Sequence, residues 1–69
     1  MTPKQKAVDL FNDYYSYLKA NLMYDEEARL DAKVCALIAV DELIYETQFE
    51  VPNIRQRYWI DVKQELEKL

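Results

Sequence analysis

No glycine occurs anywhere in these 69 residues. Glycine lets a chain reach positive φ or bring two backbones close, so tight hairpins and phosphate-cradling loops depend on it. Proline, the other residue that punctuates helices, stands only at Pro3 and Pro52. Long helices with short connections are what remains. The expected fold class is all-α: one small three-helix domain over residues 1–69, with helices over about 3–22, 25–48 and 54–69. The first two would form a hairpin of long helices and the third a shorter C-terminal helix.

Local signals place those boundaries. In Thr2-Pro3-Lys4-Gln5, threonine can cap, proline suits the first helical position, and glutamine three residues after the cap completes a capping box. Val8, Phe11, Tyr15, Leu18 and Leu22 then follow a helical spacing on one stripe, with Leu10, Tyr14 and Tyr17 on a second beside it. The pattern breaks around Met23 and Tyr24. Asp25, Glu26 and Glu27 follow, and acids suit the exposed N–H groups of a first helical turn. Along helix two, Leu30, Val34, Leu37, Asp41 and Ile44 share a stripe, while Ala28, Ala32, Cys35 and Ala39 make a ridge of small residues that would let a neighbouring helix approach. Pro52 marks the next connection. Asn53 with Gln56 three residues later repeats the capping logic, and Tyr58, Val62 and Leu66, with Trp59 beside them, supply the inner face of helix three.

A chain this short buries only roughly 60% of the surface its unfolded form exposes, so its core needs supplementing. Cys35 is the only cysteine and histidine is absent. An intramolecular disulfide is therefore impossible and a structural zinc site is not expected. Self-association remains. Val34 to Val40 is an unbroken run of seven apolar residues, which point to every side of a helix, more than two short neighbours can cover. A helical homo-oligomer is the expected assembly, with this stretch as its central helix.

The formal charge of −4 is unevenly placed: residues 1–22 carry +1, residues 23–50 carry −6, and residues 51–69 carry +1. The acidic middle argues against duplex nucleic acid, whose binding rests on phosphate neutralisation. No run approaches the roughly 18 apolar residues of a membrane span, and the N-terminus lacks the apolar core of a signal peptide. Together with one thiol in an apolar run, this places the expected location in the cytoplasm, with no membrane partner.

Catalytic chemistry finds little to build on. Asp41 and Glu42 sit beside the apolar run, but a helical diiron centre adds histidine, and none is present. Asp41, Glu42 and Glu46 could make a weak oxygen-only magnesium site; alternatively Glu42 and Glu46 face solvent and Asp41 pairs with Arg55, Arg57 or Lys33. Cys35 and Ser16 have no histidine to activate them. Neither catalysis nor a cofactor is expected. Asn53 to Trp59 is more suggestive. Arg55 and Arg57 offer guanidinium forks beside a helix start, and Tyr58 and Trp59 offer rings for stacking, as a nucleotide requires. Tyr14 and Tyr17 could add rings from the same or a neighbouring subunit. The competing assignment makes Tyr58 and Trp59 core anchors, has the arginines answer the acidic middle helix, and gives Tyr14 and Tyr17 to a subunit contact.

In Ala32–Ile44, AKVCALIAVDELI, and Tyr58–Leu69, YWIDVKQELEKL, the chain resembles a group of small helical proteins encoded by phages and prophages of gut bacteria. The two blocks cover about a third of the chain and neither is a catalytic signature. The resemblance implies a context of action against host defence within the bacterial cytoplasm, either by sequestering a nucleotide signal or by occupying a host protein surface.

The function expected from these readings is that of a non-enzymatic, homo-oligomeric binding protein. It would hold a small anionic nucleotide at subunit interfaces through Arg55, Arg57, Tyr58, Trp59, Tyr14 and Tyr17. The alternatives are an acidic helical inhibitor or adaptor of a host defence protein, and a small structural component of a virion.

Overall fold

A computed structural model describes residues 1–21 and 24–69, so the expected end of helix one at Leu22 and the break at Met23 lie outside the described residues. Three helices account for most of the rest: α1 over Pro3–Ala20, α2 over Asp25–Glu46 and α3 over Ile54–Glu67. The first begins as its residues dictate. Thr2 accepts from the Gln5 backbone N–H at 3.2 Å, and the Gln5 side chain accepts from the Thr2 N–H at 3.0 Å. This reciprocal pair satisfies two donors that a helix start leaves open.

α3 begins differently from expectation. Asn53 stands at the cap, but its ψ of 37° is far from the extended backbone that aims a capping side chain, and it makes no side-chain cap bond. Gln56, the expected second half of the box, donates instead to the Ile44 carbonyl at 3.3 Å. It ties the start of α3 to the end of α2. That end comes two residues before the expected Gln48: the buried hydroxyl of Thr47 donates to the Leu43 carbonyl at 2.7 Å, within its own turn, which satisfies both groups where the helix stops. The Val51–Pro52 peptide in the connection is cis.

Contacts along the helices give the topology. Lys63 meets Asp41, and Lys33 meets the Glu67 carbonyl, so α3 runs antiparallel to α2. The Tyr58 hydroxyl donates to the Met1 carbonyl and Lys6 lies over the Trp59 ring, so the starts of α3 and α1 lie together. Each helix packs on both others in a body of 43 × 19 × 16 Å.

The inner face of α2 is Ala28, Ala32, Ala36 and Val40, all fully buried. This corrects the expected ridge: Cys35 and Ala39 lie only half-buried on its flank. The buried positions recur every fourth residue, a row that packs as one ridge into the groove of a neighbour. Three alanines in that row let α1 and α3 come close, and Ala7 of α1 is buried for the same reason. Val62 and Leu66 complete the centre, with Leu10, Phe11, Tyr14, Leu37, Ile44, Tyr58 and Trp59 packed around it. The inner face read for α3 is therefore present in the structure.

A polar staple joins the last turns of α1 to the start of α2. The Tyr15 hydroxyl donates to Asp25, which also accepts from Arg29 at 3.0 Å, while the Arg29 guanidinium lies 5.7 Å from the centre of the Tyr15 ring. Phe11 stacks on the same tyrosine, with centroids 5.9 Å apart. The hydrogen bond from Tyr15, then that from Arg29, holds the Asp25 carboxyl below its ordinary value, and the same bond to Asp25 holds the Tyr15 phenol above its own. A lowered carboxyl stabilises the fold above its ordinary pKa and loses that contribution as pH falls through the folded value. A raised phenol loses its contribution as pH rises through the folded value. Tyr15→Phe should therefore lower the urea midpoint most near neutrality, with the gap to wild type narrowing below about pH 3 and again above about pH 10. A gap that stays constant across urea titrations from acid to alkali would contradict the staple.

Candidate functional site

The six expected ligand residues do not form one site within a chain. Arg55, Arg57, Tyr58 and Trp59 sit together on the first turns of α3. Trp59 is level with Lys6, whose ammonium lies 6.0 Å from the ring centre, whereas Tyr14 and Tyr17 lie eight and eleven residues further along α1. At 1.5 Å per residue those tyrosines are roughly 12 and 16 Å away along the axis.

Within the α3 cluster most of the groups are already engaged. Arg55 pairs with Glu50 at 3.0 Å. Tyr58 packs its ring edge to face on Trp59, with centroids 5.1 Å apart at 78°, and gives its hydroxyl to Met1. Both rings flank the core. Only Arg57 is exposed and outside any ion pair among the described residues. A base would have to displace core packing to stack here, so this cluster resembles the anchor assignment of these aromatics more than an open nucleotide cradle.

Asp41 takes a partner other than the three expected cations. It pairs with Lys63 at 2.9 Å, not with Arg55, Arg57 or Lys33. The antiparallel course of α3 puts Lys63 level with Asp41, while Glu50 holds Arg55 and the Glu67 carbonyl takes the Lys33 ammonium at 3.0 Å. The hydrogen bond to Asp41, then its charge, pushes the Lys63 pKa up.

A pocket of about 450 Å³ lies between α1 and α2, lined by Asp13, Tyr14, Tyr17, Leu18 and Cys35. It is open to solvent, and its walls are almost wholly apolar. Among the described residues Asp13 is the only formally charged side chain in that lining, and an anion would meet no cation from them there. Tyr14 and Tyr17 thus reach a concave site, but one with the chemistry of an apolar side chain's receptor.

The pocket lies on the shoulder of a larger feature. Leu30, Val34, Ile38 and Tyr45 remain 64%, 46%, 59% and 66% exposed. Spacings of four, four and seven residues put them on one face of α2, opposite the alanine ridge. This face runs about 22 Å from Leu30 to Tyr45 at 1.5 Å per residue. Lone exposed apolar residues are ordinary, but Leu30, Val34 and Ile38 on successive turns, with Tyr45 beyond the turn of Asp41 and Glu42, make a candidate contact surface. Asp31, Cys35, Ile38 and Glu42 form the adjoining stripe at spacings of four, three and four, so Cys35 at the pocket wall has an acid on its stripe to either side. Asp31, Glu42 and Glu27 are exposed and in no ion pair among the described residues. Along the sequence the apolar run and the acids Asp41 and Glu42 are adjacent. Their assembly with Tyr14 and Tyr17 into one grooved surface needed the packing of α1 on α2.

Among the described residues, no helix is long and apolar enough to cross a membrane. Comparison with protein families, curated proteins and solved structures finds no match to this chain.

Proposed function

We propose that this chain is a non-enzymatic binding protein that acts by covering the surface of another protein, as an acidic helical inhibitor or adaptor. The exposed α2 face carries this reading: Leu30, Val34, Ile38 and Tyr45 stand in a row on a helix whose opposite side already fills the core. A small protein that exposes such a row without using it would be prone to aggregate. In the context implied by the resemblance, the covered protein belongs to host defence. The test is capture from host lysate on immobilised wild type and on the Val34→Ser/Ile38→Ser pair. One protein retained by wild type, absent from the pair, and released by raised salt is the expected result. Equal capture on both would overturn the reading.

A second reading has one observation in its favour, an Arg57 that is exposed and in no ion pair among the described residues, beside an exposed Ile54. Here the chain is a homo-oligomer that sequesters a small anionic nucleotide between subunits, with Arg57 supplied by one copy and Tyr14 or Tyr17 by another. A compound absorbing near 260 nm, released on denaturation of the purified protein and lost with Arg57→Ala, is the result this reading requires. Purified protein that releases none, and that calorimetry shows binding no nucleotide, would exclude it.

A further inference from the structure

We infer that the groove formed by the exposed α2 face and the α1–α2 pocket receives a basic amphipathic helix, one apolar side chain of which enters the pocket lined by Tyr14, Tyr17, Leu18 and Cys35. This rests on the reading of the chain as a protein-binding module and names the partner's chemistry. The shape points to a helix because the apolar row is straight and about 22 Å long, the length of some fifteen helical residues. An amphipathic helix meets such a row with its own anchors at i, i+4 and i+7. The pocket supplies what a flat face lacks, a receptor for one larger anchor, and its apolar walls select an aliphatic or aromatic one.

Charge decides between a foreign helix and a second copy. Two copies packing α2 antiparallel about Ile38 would bring the stripe of Asp31 and Glu42 against itself, acid on acid, and among the described residues both cations of α2, and Lys63 on α3, are already engaged. Lys63 is held by Asp41, Lys33 by the Glu67 carbonyl and Arg29 by Asp25. Like charges across an interface oppose that pairing. A helix carrying lysine or arginine beside its apolar row meets Glu27, Asp31, Glu42 and the pocket's Asp13 with opposite charge at every one of them. The structure leaves these carboxylates without ion pairs of their own among the described residues.

The experiment uses a synthetic helix of about 18 residues, roughly 27 Å long, with leucines in a heptad row flanked by lysine and arginine. A control peptide has glutamate in place of every cation. Calorimetry should show the basic peptide binding at one to one, with affinity falling at least tenfold between about 50 and 500 mM salt as screening shortens to a few Å. The acidic control should not bind. Ile38→Ser and the Asp31→Asn/Glu42→Gln pair should each weaken binding at least tenfold, while Asp61→Asn, an exposed acid on α3, which contributes nothing to the groove, should leave it unchanged. Circular dichroism of each variant confirms that the helices persist. Binding that Asp61→Asn weakens as much as the groove variants would mean general attraction to an acidic protein and would overturn the inference. So would a dimer mass by light scattering that Ile38→Ser reduces to the monomer, since a second copy would then own the face. If the basic peptide fails to bind while the α2-face pair still loses its captured host protein, the helix is wrong and the protein-binding reading stands. If neither is affected, both fall.

Discussion

Leu66→Ala should cost about 2–5 kcal/mol. Leu66 is the largest of the fully buried side chains and lies where α3 meets the alanine row of α2 and Ala7 of α1. Small neighbours cannot reach out to refill the space it leaves, which puts the expected loss towards the upper part of that range. A domain of this length has total stability of only about 3–10 kcal/mol, so the variant should be largely unfolded at low urea concentration. Leu30→Ala gives the contrast. With Leu30 64% exposed on the outer face of α2, its truncation should change stability by less than about 0.5 kcal/mol. Urea denaturation of the two variants, followed by helical circular dichroism, checks both. Similar losses at the two positions would mean that the outer face is covered in solution.

Ala36→Leu tests the opposite fault, excess volume. Ala36 is fully buried in the row that lets the neighbouring helices approach α2, and a leucine there must either force the helices apart or take a strained rotamer. Overpacking of that kind costs about 1–3 kcal/mol. Intrinsic helix propensity barely distinguishes the two residues, so the loss would come from packing alone. Ala39→Leu, on the half-buried flank, should be milder. Thermal melts of the two variants should rank them in that order, and an Ala36→Leu protein as stable as wild type would show that the helices do not meet along this row.

The all-α class, the three elements and the first cap were legible because they rest on near-neighbour chemistry. Thr2 and Gln5 are three residues apart, and the spacing of Val62 and Leu66 depends on helix geometry alone. Which side of α2 faces inwards was not legible in the same way. The run Val34 to Val40 is apolar all round, so periodicity gives no direction, and the choice falls to helix approach: alanines allow it and Leu30, Val34 and Ile38 do not. Asp41 shows the same limit. Any of several cations could have answered it, and only the antiparallel course of α3 brings Lys63 level with it. The second stripe of Tyr14 and Tyr17 on α1 points to an interface or a ligand. What they line depends on Cys35 of another helix, a long-range fact that no local pattern contains.

Chemical-shift mapping in solution tests most directly whether the α2 groove is the working surface. Isotope-labelled protein titrated with the basic amphipathic peptide should show its largest backbone changes at Asp31, Cys35, Ile38 and Glu42 on α2 and at Tyr14 and Tyr17 on α1, with Arg55 to Trp59 little moved. Changes concentrated at Arg55, Arg57, Tyr58 and Trp59, with the α2 face silent, would contradict the account and move the working surface to the start of α3.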